Sequence, residues 1–143
     1  MSPRPLEREI KEKFPKVKIY EHSPKRFYLS MPKEEIRKIA DFLFKEKGLR
    51  LSIMTGIDTR EGIEILYHFS EDKTGTYWTV KTVVDKAEPK IDTISDITKA
   101  AAWIEREIWE LLGVEFIGHK NLVPLLTAED WPRDRFPLRR DYE

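Results

Sequence analysis

Three histidines, a cluster of glutamates and a run of arginines are the side chains of this 143-residue sequence that could do chemistry. His22, His68 and His119 are far apart in sequence, and none has a second histidine or an acid at metal-ligand spacing such as i, i+4 on a helix. An isolated histidine is far more often a structural residue than a base or a ligand. Glu105, Glu107 and Glu110 fall within six positions and could serve acid–base work, although an acidic outer helix face explains such a cluster more simply. Cysteine is absent, which removes disulfides, thiolate zinc sites, cysteine nucleophiles and cysteine-held iron–sulfur clusters. Glycine is too sparse for a phosphate-binding loop. No catalytic, cofactor or metal site is expected.

The C-terminal residues carry the stronger signal. Trp131, Arg133, Arg135, Phe136, Arg139, Arg140 and Tyr142 lie close together, and these residue types dominate the energetic centres of protein interfaces. The same mixture suits single-stranded nucleic acid by stacking and phosphate contact. Asp130, Asp134, Asp141 and Glu143 are interleaved with the arginines and would repel phosphate. The formal net charge of zero gives no general attraction to nucleic acid or to an anionic membrane. A protein partner is favoured, with no nucleic acid. The competing reading is a free-standing RNA- or peptide-binding α+β module.

The elements that position these residues follow from periodicity. Leu6, Ile10 and Phe14 mark a short helix over 3–14, ended by Pro15. Val17 and Ile19, then Phe27, Leu29 and Met31, alternate around a turn at 22–25 and predict a hairpin. Ile36, Ile39, Ala40, Leu43 and Phe44 predict a helix that Gly48 stops. Strands are expected over 49–57, 63–69 and 76–84, then an extended connector over 85–94. A last helix is expected from Ser95 as N-cap, with the stripe Ile97, Ala101, Ile104, Ile108 and Leu111, to Gly113.

The order is α-β-β-α-β-β-β-α, an α+β fold with a mostly antiparallel sheet covered by helices. Residues 1–113 form the expected domain and residues 114–143 an extended partner-docking tail, since Pro124, Pro132 and Pro137 exclude a long helix there. No apolar run approaches the roughly 20 residues of a membrane span, and no signal-peptide core is visible, so a soluble, intracellular chain is expected. Charged residues reach 36%, Gln is absent and Asn121 is the sole asparagine, a balance that high working temperature favours.

The run Glu105-Arg106-Glu107-Ile108-Trp109-Glu110-Leu111-Leu112-Gly113-Val114-Glu115-Phe116 resembles the signature E-R-E-x-x-D-L-F-G-I-x-F of the C-subunit family of respiratory complex I, the NADH-quinone oxidoreductase. The likeness continues through Gly118-His119-Lys120-Asn121-Leu122, Leu125-Leu126 and Asp130-Trp131. It closes on Pro137-Leu138-Arg139-Arg140-Asp141-Tyr142, where the family has H-P-L-R-K-D-F. Glu110 and Leu112 depart from the usual Asp and Phe, and Val123-Pro124 replaces an Arg pair. These departures and the thermophile composition resemble the related subunit of an archaeal membrane-bound hydrogenase-type complex.

The resemblance implies a subunit that holds no cofactor and has no catalytic residues of its own. It implies packing against the large catalytic-type subunit, beside the iron–sulfur subunit, on the cytoplasmic side of the membrane, with membrane contact only through the complex. Glu105, Arg106 and Glu107 are expected to lock the last helix to the start of the tail. Trp131, Phe136, Arg139, Arg140 and Asp141 are expected to contact the partner, the charged ones through charge-assisted hydrogen bonds.

Overall fold

The structure, a computed structural model, describes residues 5–119. Helix α1 (Pro5–Lys13) leads into the hairpin β1 (Lys18–Ser23) and β2 (Arg26–Ser30). A 3₁₀ turn at Lys33–Glu35 opens helix α2 (Ile36–Asp41), and a π-helical turn (Phe42–Glu46) continues it. Strands β3 (Arg50–Asp58), β4 (Ile63–Glu71) and β5 (Thr76–Val84) follow as a meander. A short strand β6 (Lys90–Asp92), helix α3 (Ala100–Leu112) and a short strand β7 (Glu115–Ile117) complete the described chain.

The main sheet has the order β1-β2-β5-β4-β3, antiparallel except where β2 runs parallel to β5. Period-two alternation divides its side chains into two faces. Phe27, Leu29, Ile63, Ile65, Tyr67, Phe69, Trp78 and Val80 point inward and form one core with Ile10, Ile36, Ile39, Leu43, Ala101, Ile108 and Leu112 of the helices. Trp78 stacks on Phe27 with centroids 4.4 Å apart, across the parallel pair that joins the hairpin to the meander. The fold is therefore the expected mixed α+β arrangement, with its helices on one face of a mostly antiparallel sheet. The other face carries Tyr20, Tyr28, Tyr77, His68, Ile53 and Ile57.

Three local expectations change. Residues 85–94 are more than a connector: Lys90–Asp92 pair in parallel with Glu115–Ile117, burying Ile91 and Phe116. Val114 and Phe116, read from sequence as the start of the tail, thus sit in the core at 0% and 1% exposure. Helix α3 begins at Ala100 rather than just after Ser95. Ser95 instead closes a turn, its amide donating to Thr93 Oγ1 at 3.0 Å and its hydroxyl bonded to the same atom at 2.8 Å. In α2 the wide π turn brings Phe42 into the core beside Phe14, with ring centroids 5.8 Å apart, and leaves Phe44 half-buried.

Candidate functional site

Helix α3 carries the charged residues singled out in the sequence, and its 100° per residue turns them in three directions. Ala101, Glu105, Ile108 and Leu112 share the inward stripe, spaced 4-3-4, so Glu105 is fully buried where a solvated position would be ordinary. Glu110 is buried as well, and the three glutamates do not make an acidic outer face. Arg106 lies over the Trp103 ring at 5.2 Å, and Trp103 is 65% exposed. Glu107 faces outward at the rim of a recess between α3 and β3. At Gly56 the helix packs against bare strand backbone, where an added Cβ would stand 2.5 Å from Leu112 Cδ1 and push that side-chain end aside.

Glu105 is held from the segment that precedes its own helix. Thr93 Oγ1 donates to Glu105 Oε1, and the backbone amide of Ile94 donates to Oε2 at 2.9 Å. His119 Nε2 stands 3.9 Å from Oε1 and donates to the Ala102 carbonyl at 2.9 Å, which fixes its proton on Nε2. Burial pushes the Glu105 carboxyl up to about 7, against the pull of the Ile94 and Thr93 hydrogen bonds. Tyr67, buried beneath it on β4, is pushed well above its ordinary range by the same burial and by the Glu105 charge.

Thr93 is the node of this arrangement. Its amide donates to Ile117 of β7 at 2.9 Å, and its carbonyl accepts Arg37 Nη1 of α2 at 2.6 Å. Arg37 also makes a two-pronged pair with Asp96, both contacts 2.8 Å. That pair holds the Asp96 carboxyl down to about 2. Three elements, α2, α3 and β7, therefore meet at the residue that follows β6. Gly118, at φ +91°, then turns the chain, and a Cβ at that position would meet Thr93 Cγ2 at 3.2 Å. Sequence reasoning missed Thr93, Ile94 and Arg37. The available signal was Glu105 itself, an acid four residues from Ala101 and three from Ile108 on an apolar stripe.

Of the other expected site residues, Trp131, Phe136, Arg139, Arg140 and Asp141 lie outside the described residues. His68 sits on the open sheet face with its two ring nitrogens 3.1 Å and 3.2 Å from the hydroxyls of Thr79 and Thr55, and partial burial lowers its pKa. His22 lies in β1 against Tyr20 and Tyr28. The histidines are thus dispersed over the two faces of the fold.

The described residues thus form a two-layer α+β body with a buried acid on helix α3 and one sheet face not covered by helices. Residues 29–143 match the family described as respiratory-chain NADH dehydrogenase, 30 kDa subunit, and the chain belongs to that family. It is 32% identical over 143 residues to the C subunit of the NADH-quinone oxidoreductase of Chloroherpeton thalassium, covering 95% of this chain but 59% of that protein's length. It is 29% identical over 127 residues to the C subunit of the F(420)H(2) dehydrogenase of Methanosarcina mazei, covering 85% and 78% of the two chains. Among solved structures it resembles a chain of the membrane-bound sulfane sulfur reductase, an archaeal respiratory membrane complex. That match has a TM-score of 0.83 and 27% identity, and covers 96% of this chain and 84% of the other. The chain is accordingly a member of a family of complex I-related oxidoreductase subunits.

Proposed function

We propose that this chain is a cofactor-free core subunit of a membrane-associated oxidoreductase of the hydrogenase or sulfur-reductase type, docked on the large catalytic-type subunit and beside the iron–sulfur subunit. The observation that carries the reading is the likeness to a chain of the archaeal sulfane sulfur reductase, which extends over 96% of this sequence. Electron transfer would run through the neighbours, because a chain without cysteine has no thiolate with which to hold a cluster. Its contribution would be mechanical, to hold the electron-transfer arm together. Trp131, Phe136, Arg139, Arg140 and Asp141 would engage the large subunit, while the Glu105–Thr93 node would hold the segment up to His119 against α3. Among the described residues no helix is long and apolar enough to cross a membrane. On this reading attachment would be through the other subunits, on the cytoplasmic side.

The test is mass spectrometry of the native complex captured through this chain. Stoichiometric recovery with a large catalytic-type subunit and an iron–sulfur subunit is expected. Recovery of a lone monomer from gently solubilised membranes and cytosol would reject the reading.

A further inference from the structure

The two edges of the main sheet are built differently. The β1 edge carries Lys18, Glu21 and His22 within six residues and a bulge between Glu21 and Ser23, devices that discourage a further strand. The β3 edge has charge only at its ends, Arg50 and Asp58, with seven uncharged, proline-free residues between them. Beyond one bulge near Ser52, its register with β4 runs unbroken from Ile53 to Asp58. Among the described residues no backbone hydrogen bond ties this stretch to anything but β4. A long, uncharged edge whose outward amides and carbonyls are unpaired is a template for an added strand.

The surroundings of that edge specify what the strand would carry. On the open face Ile53 and Ile57 are 53% and 43% exposed. On the helix face a recess of about 180 Å³ lies under the edge, floored by Met54 and Gly56 and walled by Ile104, Ile108 and Leu111. Glu107 stands at its rim, exposed and with no ion-pair partner among the described residues.

We propose that β3 receives a β-strand from a partner subunit, paired along residues 53–57, its alternate apolar side chains filling the recess and covering Ile53 and Ile57, with a Lys or Arg reaching Glu107. The proposal rests on the reading of this chain as a docked subunit. A second copy of the chain fits less well: two-fold pairing of β3 with β3 keeps both α3 helices on one side and turns the two Glu107 carboxylates toward each other. Residues 120–143 fit less well too, since Pro124, Pro132 and Pro137 cut them into short runs, and the longest, 125–131, carries Glu129 and Asp130, which would repel Glu107 instead of pairing with it.

Backbone hydrogen exchange on the full chain, alone and within the captured complex, tests this. Alternate amides over 53–57 should exchange freely in the isolated chain and slow at least tenfold in the complex. The Ile53→Lys/Ile57→Lys variant, on the exposed side chains, should keep its thermal midpoint and lose at least tenfold in partner recovery. If the complex forms and those amides exchange as fast as in the free chain, strand addition is wrong while docking stands. If the unmodified chain captures no partner, the docking reading itself fails and strand addition with it. Protection already present in the isolated chain overturns the proposal too, in favour of a second copy if it grows with concentration and of the chain's own residues 120–143 if it does not.

Discussion

The backbone amide of Ile94 donates to the carboxylate of Glu105 at 2.9 Å, so an acid in the middle of α3 closes the turn that leads into that helix. The contact is fully buried. A buried carboxylate is tolerable when neutral, or when its oxygens are satisfied as these are by Thr93 and Ile94.

The first prediction concerns pH. Burial raises the Glu105 pKa from 4.5 to about 7, so between those values the folded chain holds a proton that the unfolded chain has released. The stability this confers is fully present below about pH 4.5 and is lost as pH rises through 7, a loss of roughly 3 kcal/mol. Denaturant melts at pH 5 and pH 8 should show the acid condition more stable in this respect. Glu105→Gln, which keeps the shape and an acceptor, should flatten that slope. A slope unchanged by the substitution would place the titration elsewhere.

The Arg37–Asp96 pair provides the second. Both side chains are largely exposed, so the ion pair itself should contribute under about 1 kcal/mol, and Asp96→Asn should cost little at pH 7. Arg37→Ala also removes the donor to the Thr93 carbonyl and should cost more, about 1–2 kcal/mol. With the Asp96 carboxyl held down to about 2, its share of stability persists to acid pH and fades only as pH falls from about 4 through 2. Equal costs for the two substitutions would show that the carbonyl contact is inert.

Much of this fold is legible in the sequence because its signals are local and repeated. The alternation in Phe27, Leu29 and Met31 and in Ile63, Ile65, Tyr67 and Phe69 marks by itself which face of each strand is buried. The β6–β7 pair is not legible in this way. Three residues give no periodicity, and the pairing of Ile91 with Phe116 joins positions 25 apart with a helix between. The start of α3 escapes a sequence reading for a related reason. Ser95 is a good cap by residue type, but Thr93 occupies its hydroxyl in a local turn, and Glu105 takes the amide of Ile94, a contact that exists only once α3 has docked. The same docking hides Glu105 from a reading that weighs residue type before stripe position.

Gly56 yields a third prediction. A methyl there would approach Leu112 Cδ1 to 2.5 Å, but that atom ends a flexible side chain, so Gly56→Ala should cost under about 1 kcal/mol. Gly56→Val adds branches against Ile108 Cγ2, 3.3 Å from the new Cβ position, and should cost about 2 kcal/mol by lifting α3 from β3. Leu112→Ala should recover part of the valine cost in a double-mutant cycle. Additive effects would show that helix and strand are not in register at this contact.

The last prediction tests how the C-terminal residues act, and it separates a docking tail from a piece of the chain's own core. Residues 128–143 carry Trp131, Phe136 and Leu138 as well as Arg139 and Arg140, with Pro132 and Pro137 among them. Ordering such a segment costs about 1–2 kcal/mol per residue in backbone entropy alone, which only burial of those side chains can offset. The described body already closes its core with Val114 and Phe116 at 0% and 1% exposure, upstream of the segment. Deleting 128–143 should therefore leave the thermal midpoint nearly unchanged and abolish co-purification with the large subunit. Arg139→Ala with Arg140→Ala should weaken assembly by roughly 2 kcal/mol or more, on the scale of interface hot spots. Unfolding of the truncated chain would assign the segment to its own core. Retained folding with retained assembly would move the whole interface onto the body, where the open edge of β3 is the surface left to provide it.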